Sequence, residues 1–284
     1  GIVGRQIPRF IEQDLTLTAS SVDKLLAIDE AAAVLKKHAR VHLKIDTGME
    51  RIGTHWYSAE PLLEAAIRCS HTRVEGIYSH LAAADQADLG PTQLQLERFA
   101  EVCDFYRARS LPTPLRHIAN SAAMLRIPES HLDLVRPGLA LFGLAPSPLV
   151  TLPAAVRPAM QWCSRVVYFK VIPAGASVSY GGTWTSDRMT RIVTVPVGYG
   201  DGYMRRMSGQ AQVLIRGKRY PVVGTICMDQ LMVDIGWDEA FNGEEVILMG
   251  HQNDEQIHPD ELASWAGTLN YEILTAINGR VPRV

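Results

Sequence analysis

Residues 15–145 alternate short apolar runs with amphipathic stretches. Residues 15–19 (LTLTA) read as a strand. Ser20 and Ser21 can then cap a helix that runs through Leu25, Leu26, Ala32 and Leu35. Residues 40–45 (RVHLKI) predict the next strand, and Ser58 a second cap, for a helix with Leu62, Leu63, Ala66 and Ile67 on its apolar side. Residues 74–79 (VEGIYS) predict another strand, and the helix after it sets Leu96, Phe99, Cys103 and Tyr106 on one face. Residues 115–119 and 139–142 complete the set of strands. Strands alternating with helices through short loops predict a parallel sheet with helices outside it. About five such strands precede residue 145, whereas a closed (β/α)₈ barrel of the TIM type uses eight. The pattern therefore predicts either an open sheet or a barrel lacking about its first three βα units.

After Pro153 the period changes. Residues 160–172, 190–197, 211–215, 220–226, 231–235 and 245–249 read as short strands, separated by turn signals such as Arg216–Gly217–Lys218 and Asn242–Gly243. His258, Pro259, Asp260 and Glu261 open a short helix reaching about Trp265, with proline and acids in its first turn. This half reads as an all-β domain, residues 156–284, following an α/β half, residues 1–155.

Composition narrows the classes. A formal net charge of −2 over 284 residues favours a mixed-sign solvated surface over a nucleic-acid partner. Cys69, Cys103, Cys163 and Cys227 are widely spaced, which disfavours a disulfide framework or a structural zinc. No apolar run approaches eighteen residues and no signal peptide is legible, so the expected setting is cytoplasmic, without a membrane. The first residue is Gly, and the expectation is a chain that begins inside a longer gene product.

Several segments carry chemistry. Residues 44–53 (KIDTGMERIG) follow a strand and so fall at the C-terminal mouth of a barrel, with Arg51 available to an acidic group. Residues 117–124 (HIANSAAM) lead a strand into a helix at Asn120 and Ser121, a place suited to an anion. Residues 136–143 (RPGLALFG) contain Gly138, which would let backbone N–H groups approach a phosphate closely. The last two segments fall at the last two strands, where barrel enzymes often hold phosphate. His80 with Asp85 reads better as a barrel-mouth histidine near a ligand than as a catalytic pair. In the second half, residues 177–184 (SVSYGGTW), 195–206 (VPVGYGDGYMRR) and 222–230 (VVGTICMDQ) are dense in glycine and polar groups. The glycines lack a strand–GxGxxG–helix context, so no dinucleotide site is expected. His251 and His258 lack metal-ligand spacing, and no GxSxG elbow occurs.

Together with Asn270–Tyr271–Glu272 and Arg280–Val281–Pro282–Arg283, these segments resemble, in order, the alanine racemases, the fold-type III pyridoxal-phosphate enzymes. The resemblance runs from about residue 15 to the C-terminus. It implies two-base interconversion of L- and D-alanine in a homodimer, supplying D-alanine for peptidoglycan. It implies that Tyr180 is the base for the L-enantiomer, acting across the dimer interface on the partner's pyridoxal 5'-phosphate. Arg136 matches the arginine facing the pyridine nitrogen, and Ser121, Gly138 and Tyr271 match the phosphate ligands. Arg51 matches the arginine at the cofactor's phenolic oxygen and the substrate carboxylate, with His80 beside the cofactor. Met228 matches a backbone contact to substrate, and Tyr199 the entryway. Lys44, often carbamylated in the family, would hold Arg51, with Arg205, Cys227 and Asp229 in support. The family's cofactor lysine lies in a segment like AVVKANAYG, which nothing here matches. The expectation is a chain that lacks its anchor lysine and D-face base, exposes two barrel edges, and is by itself poorly folded and inactive. The rival readings are a broad-specificity amino-acid racemase, a fold-type III decarboxylase with Cys227 as acid, and a non-catalytic pyridoxal-phosphate carrier.

Overall fold

A computed structural model describes residues 3–284. The chain divides into two compact units, Gly1–Val156 and Arg157–Val284.

In the first unit, helix α1 (Ile7–Glu12) precedes strand β1 (Leu17–Ala19), then α2 (Val22–Val34), β2 (Ala39–Asp46), β3 (Thr54–His55), α3 (Glu60–Arg68), β4 (Thr72–Tyr78), α4 (Gly90–Ala108), β5 (Leu115–His117) and α5 (Ser121–Arg126). The strands pair in parallel in the order β1–β2–β4–β5, with short β3 beside the end of β2. This is the expected strand–helix alternation; the fifth strand of the sheet is β3, which the pattern did not predict. Leu43, Ile45 and Ile77 are fully buried along it, each contributing about 1.5–3 kcal/mol over an exposed position. They share a core with Leu25, Ile28 and Leu62 of the covering helices.

Ser21 caps α2 as expected, its hydroxyl accepting the Lys24 N–H at 3.2 Å. Two local expectations are corrected. Ser58 caps nothing: the cap position of α3 falls on Ala59, and the Ser58 hydroxyl turns back to the His55 carbonyl. Residues 139–142 are a 3-10 turn, Leu139–Phe142, rather than a strand, closed by Gly143 in the left-handed region (φ 76°). A four-residue apolar run does not discriminate strand from helical turn, and a flanking glycine that reverses the chain favours the turn.

The second unit holds an eight-stranded sheet in the order β15–β14–β11–β12–β13–β10–β7, with β6 on β14, and a small β8–β9 hairpin. Its strands are β6 (Trp162–Arg165), β7 (Tyr168–Ile172), β8 (Ser177–Val178), β9 (Trp184–Thr185), β10 (Thr190–Val195), β11 (Gln212–Ile215), β12 (Lys218–Val223), β13 (Leu231–Asp234), β14 (Glu245–Gln252) and β15 (Glu255–Ile257). The single run expected over 160–172 is thus two strands. Arg216 (φ 55°) and Gly217 (φ 76°) form the tight turn between β11 and β12, both in the left-handed region that a two-residue hairpin needs. Helix α6 (Pro259–Ala266) starts with a capping box, Glu261 accepting the His258 N–H at 2.8 Å, and ends on left-handed Gly267. Helix α7 (Asn270–Ala276) follows. No helix among the described residues is long and apolar enough to cross a membrane.

Candidate active site

In the first unit, the C-terminal ends of β2, β4 and β5 bring Lys44, Tyr78, Ser79, His80 and His117 together, and the segment after α5 adds Arg136. Arg136 is fixed through both terminal nitrogens. Its Nη1 meets His117 Nδ1 at 2.6 Å, and its Nη2 donates to the Ser79 carbonyl at 2.8 Å and the Ile118 carbonyl at 3.3 Å. His80 Nδ1 lies 3.4 Å from the same Nη2. Tyr78 stacks on His117 at 4.8 Å between ring centres, and both Lys44 Nζ and the Arg136 guanidinium stand 5.3 Å from its ring.

Burial and neighbouring cations set the charges. Burial, reinforced by Arg136, pulls His117 down to about 3 and His80 to about 4, so both imidazoles are neutral at pH 7. Lys44 is buried and falls to about 8, with Asp46 opposing the drop and Arg136 and Arg51 adding to it. Asp46 is buried too, which alone would raise it. The backbone N–H groups of Gly48, Glu50 and Met49 outweigh that and keep it ionised. Its Oδ1 accepts from Gly48 and Met49 at 2.8 and 2.9 Å, and its Oδ2 from the Arg51 N–H at 3.2 Å. Asp46 thereby shapes the loop that carries Arg51. Among the described residues no carboxylate forms an ion pair with Lys44, Arg51 or Arg136. A mouth with three cations, neutral histidines and a spent aspartate suits an anionic ligand.

Beside this cluster, Ser121 Oγ accepts the N–H groups of Gly138 at 2.8 Å and Ala140 at 3.3 Å. A Cβ on Gly138 would meet nothing closer than Ser121 Oγ at 3.9 Å. Contrary to expectation, its N–H is engaged by the serine. Asn120, not Ser121, is the cap of α5. Gln95, which nothing in the sequence singled out, ties two loops at this mouth. Its amide donates to the His80 carbonyl at 2.9 Å and to Thr47 Oγ1 at 3.2 Å, and accepts the Ala82 N–H at 2.9 Å. Asp85 makes no pair with His80; its carbonyl accepts from Ser147.

The remaining predicted residues lie in the second unit. Tyr180 opens a 3-10 turn between β8 and β9, and the residue is 74% exposed. The turn is pinned from below: Thr225 Oγ1 donates to the Tyr180 carbonyl at 2.9 Å, and Ser179 Oγ to the Thr225 carbonyl at 2.5 Å. Ser179 holds a left-handed φ of 68°, and its Oγ lies 3.5 Å from Cys227 Sγ. Tyr180, Ser179 and Cys227 line a cavity of about 390 Å³ with Lys170 and Tyr168. Neither Ser179 nor Thr225 was predicted; their role depends on a meeting of segments 46 residues apart.

Met228 and Tyr199 belong to two interlocked loops. Tyr199 N–H donates to the Cys227 carbonyl at 3.1 Å, and Gly200 N–H to the Met228 carbonyl at 2.7 Å. A Cβ on Gly198 would stand 2.1 Å from the Cys227 carbonyl oxygen. The glycines of GYGDG thus serve a backbone-to-backbone contact. Met228, Asp229, Arg205 and half-exposed Tyr271 face solvent within this unit, Tyr271 in the first turn of α7. Among the described residues no cluster of three or more His, Cys, Asp and Glu could hold a metal.

Comparison with known proteins accords with both units. Residues 1–146 match the family described as alanine racemase, N-terminal domain, and residues 159–284 the family described as alanine racemase, C-terminal domain. An alanine racemase of Carboxydothermus hydrogenoformans is 44% identical over 98% of this chain and 76% of that protein. One of Symbiobacterium thermophilum is 46% identical over 90% of this chain and 68% of that protein. A crystal structure of alanine racemase from D-cycloserine-producing Streptomyces lavendulae superposes with a TM-score of 0.93 at 38% identity, covering 98% of this chain and 74% of that one. With both halves matched in order and the fold shared at that level, the chain belongs to the alanine racemase family.

Proposed function

We propose that this protein interconverts L-alanine and D-alanine with pyridoxal 5'-phosphate and so supplies D-alanine for peptidoglycan in the cytoplasm. The observation that carries the reading is Arg136: a largely buried guanidinium, without an ion-paired carboxylate, held by His117, Ser79 and Ile118 at the strand ends. The cluster fits the cofactor. A phosphate-bearing anion suits its uncompensated cations, and a pyridine nitrogen suits a donor-only guanidinium.

When bound, the cofactor draws electrons from the amino acid and acidifies its Cα–H. The chain's own residues do the rest. Arg136 would hold the pyridine nitrogen as a donor that does not give up its proton. Ser121 would meet the phosphate with the Gly138 N–H that its hydroxyl now engages, Tyr271 is the further phosphate residue that the family implies, and His80 would stand near the cofactor as a neutral imidazole. Arg51 pairs with the substrate carboxylate. Lys44, at about 8, is neutral in a share of molecules at pH 7. That is the form carbon dioxide carbamylates, and the carbamate would hold Arg51. Tyr180 removes and returns the proton on the L face, acting from one copy of a homodimer on the other's site. Met228 offers its main chain to substrate, Tyr199 lines the entry, and Arg205, Cys227 and Asp229 support them.

Racemisation needs a proton acceptor on each face of Cα. For the D face the family uses the cofactor lysine. Lys24, Lys36, Lys37, Lys44, Lys170 and Lys218 all lie outside any segment like AVVKANAYG. We read the site as a barrel mouth whose first βα units are not among these residues. The expected result for the purified 284-residue chain, its intact mass confirmed, is pyridoxal-phosphate binding that weakens in Arg136→Leu, without alanine turnover. Turnover by that chain would overturn the reading of the lysine. Binding indifferent to Arg136 would overturn the cofactor site. Assay of the protein as encoded, against a panel of amino acids, should show alanine racemised fastest; equal rates, or carbon dioxide release, would favour a broad-specificity racemase or a decarboxylase.

A further inference from the structure

Behind Arg136 lies a second histidine that the reading above does not use. His42 sits on β2, and its Nδ1 is 2.8 Å from His117 Nε2. On the other side of the His117 ring, Nδ1 is 2.6 Å from Arg136 Nη1. A guanidinium has donors only, so His117 Nδ1 accepts. The proton of neutral His117 must then sit on Nε2, which donates to His42 Nδ1. Reversing that second bond would require His117 without either proton, an imidazolate. Hydrogen bonding thus runs one way, Arg136 to His117 to His42.

The backbone is cut to admit the His42 ring. In the β2–β4 ladder Val41 faces Val74, but His42 faces Gly76, so Glu75 is skipped as a bulge. A Cβ on Gly76 would lie 2.6 Å from His42 Cε1 and Nδ1. The bulge therefore sets the one residue without a side chain against the imidazole.

We propose that His42 is a positioning residue: as terminal acceptor it fixes the His117 tautomer whose bare Nδ1 holds Arg136, and the Glu75–Gly76 bulge is the seat that makes this possible. The inference rests on the reading of Arg136 as the residue at the pyridine nitrogen. The groups facing His42 are His117, Tyr78, Glu75 and Arg136. Burial lowers its pKa from 6.5, Glu75 opposes that, and Arg136 adds to it. Protonation of His42 would place N–H against N–H and break the chain of bonds at its far end.

The test is a long-range ¹H–¹⁵N spectrum of the histidine-labelled protein as encoded. His42→Gln and His117→Gln give the assignments. At pH 7.5 both His42 and His117 should be neutral Nε2–H tautomers. His42→Asn, whose Oδ1 takes the place of Nδ1 and still accepts, should keep His117 in that tautomer. His42→Leu strands the His117 Nε2–H without an acceptor, which should shift the His117 signal and weaken pyridoxal-phosphate binding about tenfold, the size of one lost hydrogen bond. An Nδ1–H tautomer at His117, or a His117 signal unchanged in His42→Leu, would overturn the proposal. Should His42→Leu fail to fold, His42→Asn against His42→Ala makes the same comparison, and a His117 signal alike in the two overturns the proposal. The readouts also separate the two readings. Expected tautomers with cofactor binding indifferent to Arg136→Leu would sink the cofactor reading and leave the relay standing.

Discussion

The two units hold their candidate residues by different means. In the first, what is held is side chains. Arg136, His117, His80 and Lys44 lie largely out of water, and each is set by its neighbours' hydrogen bonds and charges. In the second, what is held is main chain. Tyr180 and Tyr199 project from turns locked by carbonyls, hydroxyls and glycines, and the phenol of Tyr180 is left exposed. Wiring by charge makes the first unit sensitive to protonation, whereas interlocking by shape makes the second sensitive to volume.

The largest expected effect tests the exposed tyrosine. In alanine-racemising protein that carries this sequence, Tyr180→Phe should lower turnover about 10²–10⁴-fold, the contribution of one general base. Exchange of the D-alanine α-proton, followed in deuterated water, should survive better than exchange from L-alanine. Equal losses on both faces would remove Tyr180 from the role of a one-sided base.

Next comes a pair of glycines, one in each unit. Gly198→Ala drives a Cβ onto the Cys227 carbonyl, backbone against backbone, and should cost about 3 kcal/mol in urea unfolding. Gly138→Ala meets only Ser121 Oγ at 3.9 Å. It should change stability by less than about 1 kcal/mol. If the two cost the same, shape is not what distinguishes the units.

Acid should act on the first unit. His80 and His117 fold with pKa values near 4 and 3, below the 6.5 of the unfolded chain. Above pH 6.5 both states carry them neutral, and their contribution is constant. Below it the unfolded chain binds protons that the folded unit refuses, so stability falls as pH drops. The slope approaches about 1.4 kcal/mol per pH unit for each histidine. Hydrogen exchange of the β2 and β4 amides between pH 7 and 5, corrected for intrinsic rates, measures this; protection independent of pH would contradict it.

The smallest effect separates two serines. Ser21→Ala should cost about 1 kcal/mol, the value of an N-cap. Ser58→Ala should cost clearly less, since its hydroxyl reaches only the His55 carbonyl at 3.4 Å. Thermal melts of the two variants compare them directly.

Much of this was legible in the sequence where one period persists. Helix α2 and strands β2 and β4 announce themselves because long runs keep one face apolar. Residues 139–142 misled because four apolar residues satisfy either period, and Ser58 because Pro61 lets α3 start one residue later than the serine suggests. Candidate site residues were legible only through the resemblance to a known family. Their partners were not. His42 and His117 are 75 residues apart, and Ser179 and Cys227 are 48 apart, and only the fold brings either pair within a bond. Gln95 sits among ordinary helix positions, and its use as a tie between two loops leaves no mark on local pattern.

Asp46 carries a consequence for how this mouth could be altered. Both its oxygens are occupied by main-chain N–H groups over Gly48 to Arg51, so the loop is a closed clasp with a set number of links. Any insertion or deletion inside it would leave the carboxylate grasping the wrong amides and swing Arg51 away. The Met49 side chain within the clasp could be exchanged freely by comparison, whereas Glu50, at a left-handed φ of 52°, tolerates few replacements. An engineer seeking a different substrate should therefore vary the letters of this loop and never its length.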